Sequence, residues 1–383
     1  MFRDLTIGGF KCFRDPVNLS LAPLTILAGV NGGGKSSALQ PLLLVHQELI
    51  ERGPTATSLA LNGPLLTLGT AREVLSRRSE KRAITLRLAL EDSSIAWRFG
   101  DGDNRGSQSI SLLETTYESA SRTHARAKKA LFPATFLKGR GEQVVRALMD
   151  LRYVPADRFG PANTYPLLDR ATYRSLGPRA ERAVGALWTD DRAVDVGLRH
   201  PKQATENRLM RQVETWLGEL FPEVVLEVLP VVGNELVTLR IRTSSRGDFD
   251  APHNVGFGVS YVLPVIVALI GAHPGEIVIL DNPEAHLHPH AQAVLGRICA
   301  RVASAGVQVI VETHCDHLLN GIRVAAHHGD IQRDSVVVHF FNRLAADGRP
   351  QVQEVRLGPG ERYTVRPELF FDETERQLRE LLT

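Results

Sequence analysis

Gly29-Val-Asn-Gly-Gly-Gly-Lys-Ser36 matches the phosphate-loop pattern G-x-x-x-x-G-K-[ST] at every fixed position. An apolar run, Leu24-Thr-Ile-Leu-Ala28, precedes it and reads as a strand. Ser37-Ala-Leu-Gln-Pro-Leu-Leu-Leu44 follows and can open a helix. Strand, glycine loop and helix are the context that the motif requires. Glycines let the backbone curl so that successive N–H groups point at phosphate oxygens, and the helix N-terminus adds its positive end. Asn31, Gly32, Gly33, Gly34, Lys35, Ser36 and Ser37 are therefore the candidate nucleotide-binding residues. Lys35 would reach the β- and γ-phosphates, and the Ser36 hydroxyl would ligate Mg²⁺. A glycine-rich turn with no ligand is the alternative, and Lys-Ser in register behind a strand argues against it.

A second part of the site is expected far along the chain. Glu276-Ile-Val-Ile-Leu280 is a short buried-strand pattern that ends at Asp281, and Asn282-Pro283-Glu284-Ala285-His286-Leu287-His288-Pro289 follows. A strand that delivers a carboxylate at its C-terminal end suits a partner for the loop, with Asp281 holding Mg²⁺ opposite Ser36. A third strand, Val307-Gln-Val-Ile-Val-Glu-Thr313, ends in His314, which can bond the terminal phosphate and report its presence. Singly, Asp281 and His314 read equally well as a strand-end cap and a surface histidine. Three strand ends in this order favour one site.

These segments carry a resemblance. Phe2-Arg-Asp-Leu-Thr-Ile-Gly-Gly-Phe-Lys-Cys-Phe13 is similar to the start of ABC-type ATPase heads of the RecF, SMC and OLD (overcoming lysogenization defect) kind. Asp281-Asn-Pro-Glu-Ala-His-Leu-His-Pro289 resembles the OLD-like DEPEAHLHP box, and Glu312-Thr-His-Cys-Asp-His-Leu-Leu-Asn320 resembles its ETHSxxLLN switch segment. Asn254-Val-Gly-Phe-Gly-Val-Ser-Tyr-Val-Leu-Pro264 stands where such ATPases carry their signature segment. The resemblance covers roughly residues 1–75 and 225–325. It implies an α/β fold: a P-loop ABC/SMC-type ATPase head with an antiparallel β-lobe and a helical insertion. It also implies ATP and Mg²⁺ as cofactors, and a homodimer closed around ATP. Gly256, Gly258 and Ser260 would then touch the partner's nucleotide; the plainer reading is a glycine turn before a buried helix.

One position departs from that pattern. The residue after the magnesium aspartate is commonly a glutamate that serves as general base, and here it is Asn282. An amide orients water but takes no proton, so slow hydrolysis is expected, with Glu284 as a substitute base if the Pro283 bend brings it back. The candidate catalytic residues are thus Glu284, Asn282 and His314. A non-hydrolysing, ATP-gated scaffold is the other reading. His286, His288 and His290 invite a zinc site, but Pro289 breaks the helical spacing and the resemblance already explains His286, His288 and His314 as loop and switch residues.

Composition sets the frame. The chain has 383 residues, 43% apolar and 23% charged, with a net charge of +2, an ordinary soluble balance. Three scattered cysteines, Cys12, Cys299 and Cys315, point to a reducing cytoplasm rather than a disulfide framework. No apolar stretch reaches membrane-spanning length.

Three regions are expected: 1–75 with the P-loop, 76–224 as a β-hairpin plus helical insertion, and 225–383 with signature, aspartate strand and switch histidine. Ala83–Leu90 and Ser94–Phe99 alternate as a hairpin, and the pattern from about 118 to 220 reads as largely helical. No heptad run is long enough for a coiled-coil arm. Strands are expected at 226–229, 236–242, 335–341 and 351–357, and 367–372 leads to a short amphipathic helix. Arg122 to Arg158 holds nine Lys/Arg against three acids, which is either a DNA- or RNA-binding patch or a solvated helix face. Asp157 and Arg158 could pair there. A separate effector protein, for instance a nuclease, is the expected partner, since no Toprim-like acidic cluster follows residue 320. DNA maintenance or antiphage defence is the implied setting.

Overall fold

The apolar run ahead of the glycine loop is a strand buried at five of its six positions. A computed structural model of the chain describes residues 1–383 except 77–82, 101–105, 120–121, 128–129, 135, 138–139, 168–174, 191, 343, 366, 368–376, 378–379 and 383. The first elements are β1 (Asp4–Gly8), β2 (Val17–Ser20), β3 (Leu24–Gly29), α1 (Lys35–Arg52), β4 (Ser58–Ala60), α2 (Ala71–Val74), β5 (Ala83–Ala89) and β6 (Ser93–Gly100). Next come β7 (Ser109–Ser119), β8 (Arg122–Ala127), α3 (Arg140–Met149), β9 (Arg152–Val154), β10 (Tyr165–Pro166), α4 (Ala183–Thr189), α5 (Leu209–Leu220), β11 (Val225–Pro230) and β12 (Leu236–Arg242). The last are α6 (Phe257–Ile270), β13 (Ile277–Asp281), α7 (Pro289–Ser304), β14 (Gln308–Thr313), α8 (Asp316–His328), β15 (Val336–Phe341) and β16 (Val352–Arg356).

A six-stranded sheet in the order β16-β15-β3-β14-β13-β9 forms the centre, parallel except for β16 at its edge. Its inner strands are almost continuously apolar because both faces are covered. Alternate residues separate into two cores, as the two-residue period of a strand requires. Ile26, Val278, Leu280, Val309, Val311 and Val338 pack beneath the helices α4 to α8. Leu27, Ile277, Ile279, Ile310 and Phe341 face α1, α3 and the second sheet. α6 is buried almost all round, which explains its unbroken apolar sequence from Val262 to Ile270 apart from Pro264.

The second sheet is antiparallel, in the order β2-β1-β5-β6-β7-β4, with β8 paired to β7. The expected hairpin is β5–β6, in register from Ala83 opposite Gly100 to Ala89 opposite Ser94. The strands expected later in the chain are β11, β12, β15 and β16.

One expectation needs correction. The helical pattern expected from 118 begins later, because β7 runs to Ser119 and β8 covers 122–127. Thr115, Thr116 and Tyr117 favour extended backbone and pair across to β6 and β8, and pairing outweighs the charged run's helical look. Within 76–224, β9 pairs with β13 in the parallel sheet, and α4 and α5 share the core with α6. Most of the expected C-terminal strand and helix lies outside the described residues.

Candidate nucleotide and magnesium site

β3 ends at Gly29 and α1 starts at Lys35, so five residues make the loop between them. Gly32 and Gly34 have φ of 74° and 106°, which side chains resist. Gly29 has φ of 130°, and a Cβ there would lie 2.0 Å from the Phe341 carbonyl oxygen on β15. Gly34 is the N-cap of α1 and supplies no side-chain cap, leaving the first-turn N–H groups for an anion. Lys35 is buried, and its Nζ donates to the carbonyls of Val30 (2.8 Å) and Gly29 (3.2 Å). Burial lowers its pKa, and the nearby Glu312 and Asp281 work against that.

Asp281 and Glu312 stand side by side at the C-terminal ends of β13 and β14, while Glu312 also lies opposite Leu27 of β3. The parallel register therefore carries both carboxylates to the loop. Ser36 Oγ donates to Glu312 Oε1 at 2.7 Å. Asp281 accepts from the Tyr153 hydroxyl and the Ala156 N–H, yet burial still raises its pKa. Glu312 is pushed up to about 7, first by burial and then by Asp281. His314 lies on the same wall, and its ring donates to the Gly29 carbonyl; burial and the Lys35 charge lower its pKa.

The cavity these residues enclose measures about 470 Å³ and includes Asn31, Gly32, Lys35, Ser36, Asp281 and Asn282 in its lining. It sits beyond the C-terminal ends of parallel strands, where α/β sheets bind ligands. One hydroxyl and two crowded, desolvated carboxylates form a hard oxygen set that suits Mg²⁺, so the residues present fit a magnesium–nucleotide complex.

The catalytic candidates are divided by the structure. Asn282 lines the cavity with φ of 43°, its N–H bonded to the Glu312 carbonyl and its Oδ1 buried without a partner among the described residues. Glu284 lies behind that wall. Its Oε1 accepts from Thr313 Oγ1 (2.6 Å) and the His314 N–H (3.3 Å), and burial raises its pKa. The Pro283 bend thus turns it into the fold beneath the switch strand.

The signature segment opens α6 away from this cavity. Gly256 is the N-cap, Phe257 is 59% exposed, and Gly258 packs against the His286 carbonyl. Ser260 is buried, its Oγ without a partner among the described residues, so it is the one member of the trio that does not reach the surface.

The basic stretch changes character. Arg152 is buried against Glu276 (3.2 Å) and the Gly271 carbonyl (2.7 Å), and Arg158 is 1% exposed. Neither can meet a nucleic acid, because the fold uses both inside. Asp157 pairs with Arg179 instead of the expected Arg158. Arg146 is exposed. The side chains of Arg122, Arg126, Lys128, Lys129, Lys138 and Arg140 lie outside the described residues.

Sequence reasoning quoted Glu312 but gave it no role. The signal was available: a carboxylate at the end of the strand between the P-loop strand and the aspartate strand must enter the same crevice. Cys12 and Lys11 also line the cavity, placed by the turn after β1; they lie within the quoted opening segment, which gave them no role.

Residues 24–320 match the family model described as "AAA domain, putative AbiEii toxin, Type IV TA system". The chain belongs to this AAA family. Among solved structures, an Smc head bound to the C-winged helix domain of ScpA aligns with a TM-score of 0.52 and 13% identity, covering 93% of this chain and 98% of that one. An Smc head domain with an extended coiled coil, bound to the C-terminal domain of ScpA derived from Pyrococcus furiosus, gives 0.51 and 12%, covering 100% and 99%. At such identities the likeness concerns the fold alone, which is that of the SMC head domains. A search of curated proteins returns no match. Among the described residues no helix is long and apolar enough to cross a membrane.

Proposed function

We propose that this family member binds ATP with Mg²⁺, hydrolyses it slowly, and dimerises around it to control a separate effector protein. The observation that carries this reading is the convergence of the glycine loop, Lys35, Ser36, Asp281, Glu312 and His314 on one cavity. Phosphate oxygens would take the N–H groups of residues 32–37 and replace the carbonyls now held by Lys35. Mg²⁺, when bound by Ser36 and Asp281, would neutralise phosphate charge and orient the terminal group. Glu312 would hold the Ser36 hydroxyl so that its lone pair faces the metal. His314 would contact the terminal phosphate, and Asn282 would orient the attacking water.

The dimer reading rests on Gly256 and Phe257, which are exposed at a helix N-terminus where a partner's phosphate could be met. The OLD-like box and switch segments, with the toxin–antitoxin description of the family, favour a role in antiphage defence over general DNA maintenance. An OLD-like ATPase of this kind would act through a separate effector. With Arg152 and Arg158 inside the fold, neither would serve a contact with DNA or RNA.

A non-hydrolysing scaffold is favoured by one observation: the residue on the cavity wall is Asn282, while Glu284 is held by Thr313 and His314. Both readings require ATP binding. Titration of Mg·ATP into wild type and Lys35→Ala, followed by steady-state phosphate release, separates them. Binding lost in Lys35→Ala with turnover in wild type supports the ATPase; binding without turnover above the Lys35→Ala background supports the scaffold. Equal binding by both proteins would overturn the site itself.

A further inference from the structure

Arg158 is a buried cation whose hydrogen bonds among the described residues all go to backbone carbonyls. Its Nε donates to Tyr261 on α6 at 2.6 Å. Nη1 reaches the carbonyls of Pro155 (3.3 Å), Asp281 (3.3 Å) and Asn282 (3.2 Å), and Nη2 those of Asn282 (3.2 Å) and Pro283 (3.3 Å). Desolvation of a guanidinium is costly, so a network of this kind stands only if every acceptor is in place together. An arginine fork carries five N–H donors in a fixed plane, enough to serve all of these acceptors on three segments at once.

A second contact runs parallel to the first. His286, with φ of 66°, lays its ring 4.5 Å from that of Tyr261, and Gly258 rests on its carbonyl. The loop from Asp281 to His288 thus meets the first turns of α6 at both ends. One side of that loop forms the cavity wall at Asn282, and the first turn of α6 carries the exposed Phe257.

We propose that Arg158 is a positioning residue that couples the cavity loop to the signature end of α6 within one chain. A shift of the 281–283 backbone on nucleotide binding is passed through the guanidinium to Tyr261, and so to Gly256 and Phe257. The inference rests on the nucleotide reading for its trigger, while the clamp itself rests on the hydrogen bonds of Arg158.

Hydrogen–deuterium exchange on the full chain tests it, with and without Mg·ATP. In wild type lacking nucleotide, segments 257–262 and 281–288 should open as one unit, with the same denaturant dependence. Arg158→Lys keeps the charge but loses the fork; both segments should exchange about tenfold faster while residues 29–36 stay as in wild type. Adding Mg·ATP should protect all three segments in wild type, but only 29–36 in Arg158→Lys. Arg158→Ala, which takes a donor away from five carbonyls, should behave likewise or fail to fold. If either protein shows 257–262 and 281–288 opening independently, or if Arg158→Lys transmits protection to 257–262 as wild type does, the coupling is refuted. If Mg·ATP protects nothing in wild type, the nucleotide reading fails, and the nucleotide-free exchange still decides the clamp.

Discussion

Replacing Glu312 by glutamine should stabilise this protein without nucleotide while harming its response to Mg·ATP. Glu312 is 4% exposed and shares its crevice with Asp281. Burial and that neighbour raise its carboxyl from 4.5 to about 7, which corresponds to roughly 3 kcal/mol at 1.4 kcal/mol per tenfold. The sign follows from proton counts. Between pH 4.5 and about 7 the folded chain holds a proton at Glu312 that the unfolded chain has released. Stability from this group is therefore complete below pH 4.5 and lost as pH rises through about 7.

Glutamine keeps the shape and cannot ionise. At pH 8 Glu312→Gln should exceed wild type by up to about 3 kcal/mol, and near pH 4 the two should agree. For a chain of this size that is about 3–6 °C in Tm at pH 8. Melting curves of both proteins from pH 4 to 8 read the difference directly. Saturating Mg·ATP should then raise wild type more than the variant, because the carboxylate gains a cation to face. A difference that ignores pH, or a variant less stable than wild type at pH 8, would refute this account of the site.

Two other substitutions probe the remaining parts. Phe257→Glu removes an exposed side chain, so stability should change by less than about 0.5 kcal/mol. ATP-dependent dimerisation, followed by light scattering, should be lost; an unchanged dimer would remove the signature edge from the interface. Gly29→Ala places a methyl 2.0 Å from the Phe341 carbonyl oxygen at φ of 130°. It should cost about 3 kcal/mol or more in urea unfolding, and a near-neutral result would mean that β3 and β15 part more easily than their packing indicates.

The glycine loop, the apolar strands and the carboxylate or histidine at each strand end were legible because they are local. A loop that must wrap phosphate needs Gly-Lys-Ser in register, and a strand buried on both faces needs uninterrupted apolar residues. Asp281 and His314 could be placed for the same reason. The β5–β6 hairpin was visible from its alternation, whereas β7 and β8 were not, because pairing partners decided them.

Roles set by distant neighbours could not be read along the chain. Arg158 looked like one more charge in a basic run, and only folding surrounds it with carbonyls from β13, its loop and α6. Glu284 sits in a motif that suggests a base, but Thr313 and His314 claim its carboxylate. Glu312 gained its role when β14 settled between β3 and β13, which set it against Ser36 and Asp281. The sequence by itself determined which segments are strands, phosphate loop and helix, since those depend on backbone sterics and burial period. Tertiary structure alone decided which charges are sheltered and which polar groups meet, since desolvation and pairing depend on residues hundreds of positions apart.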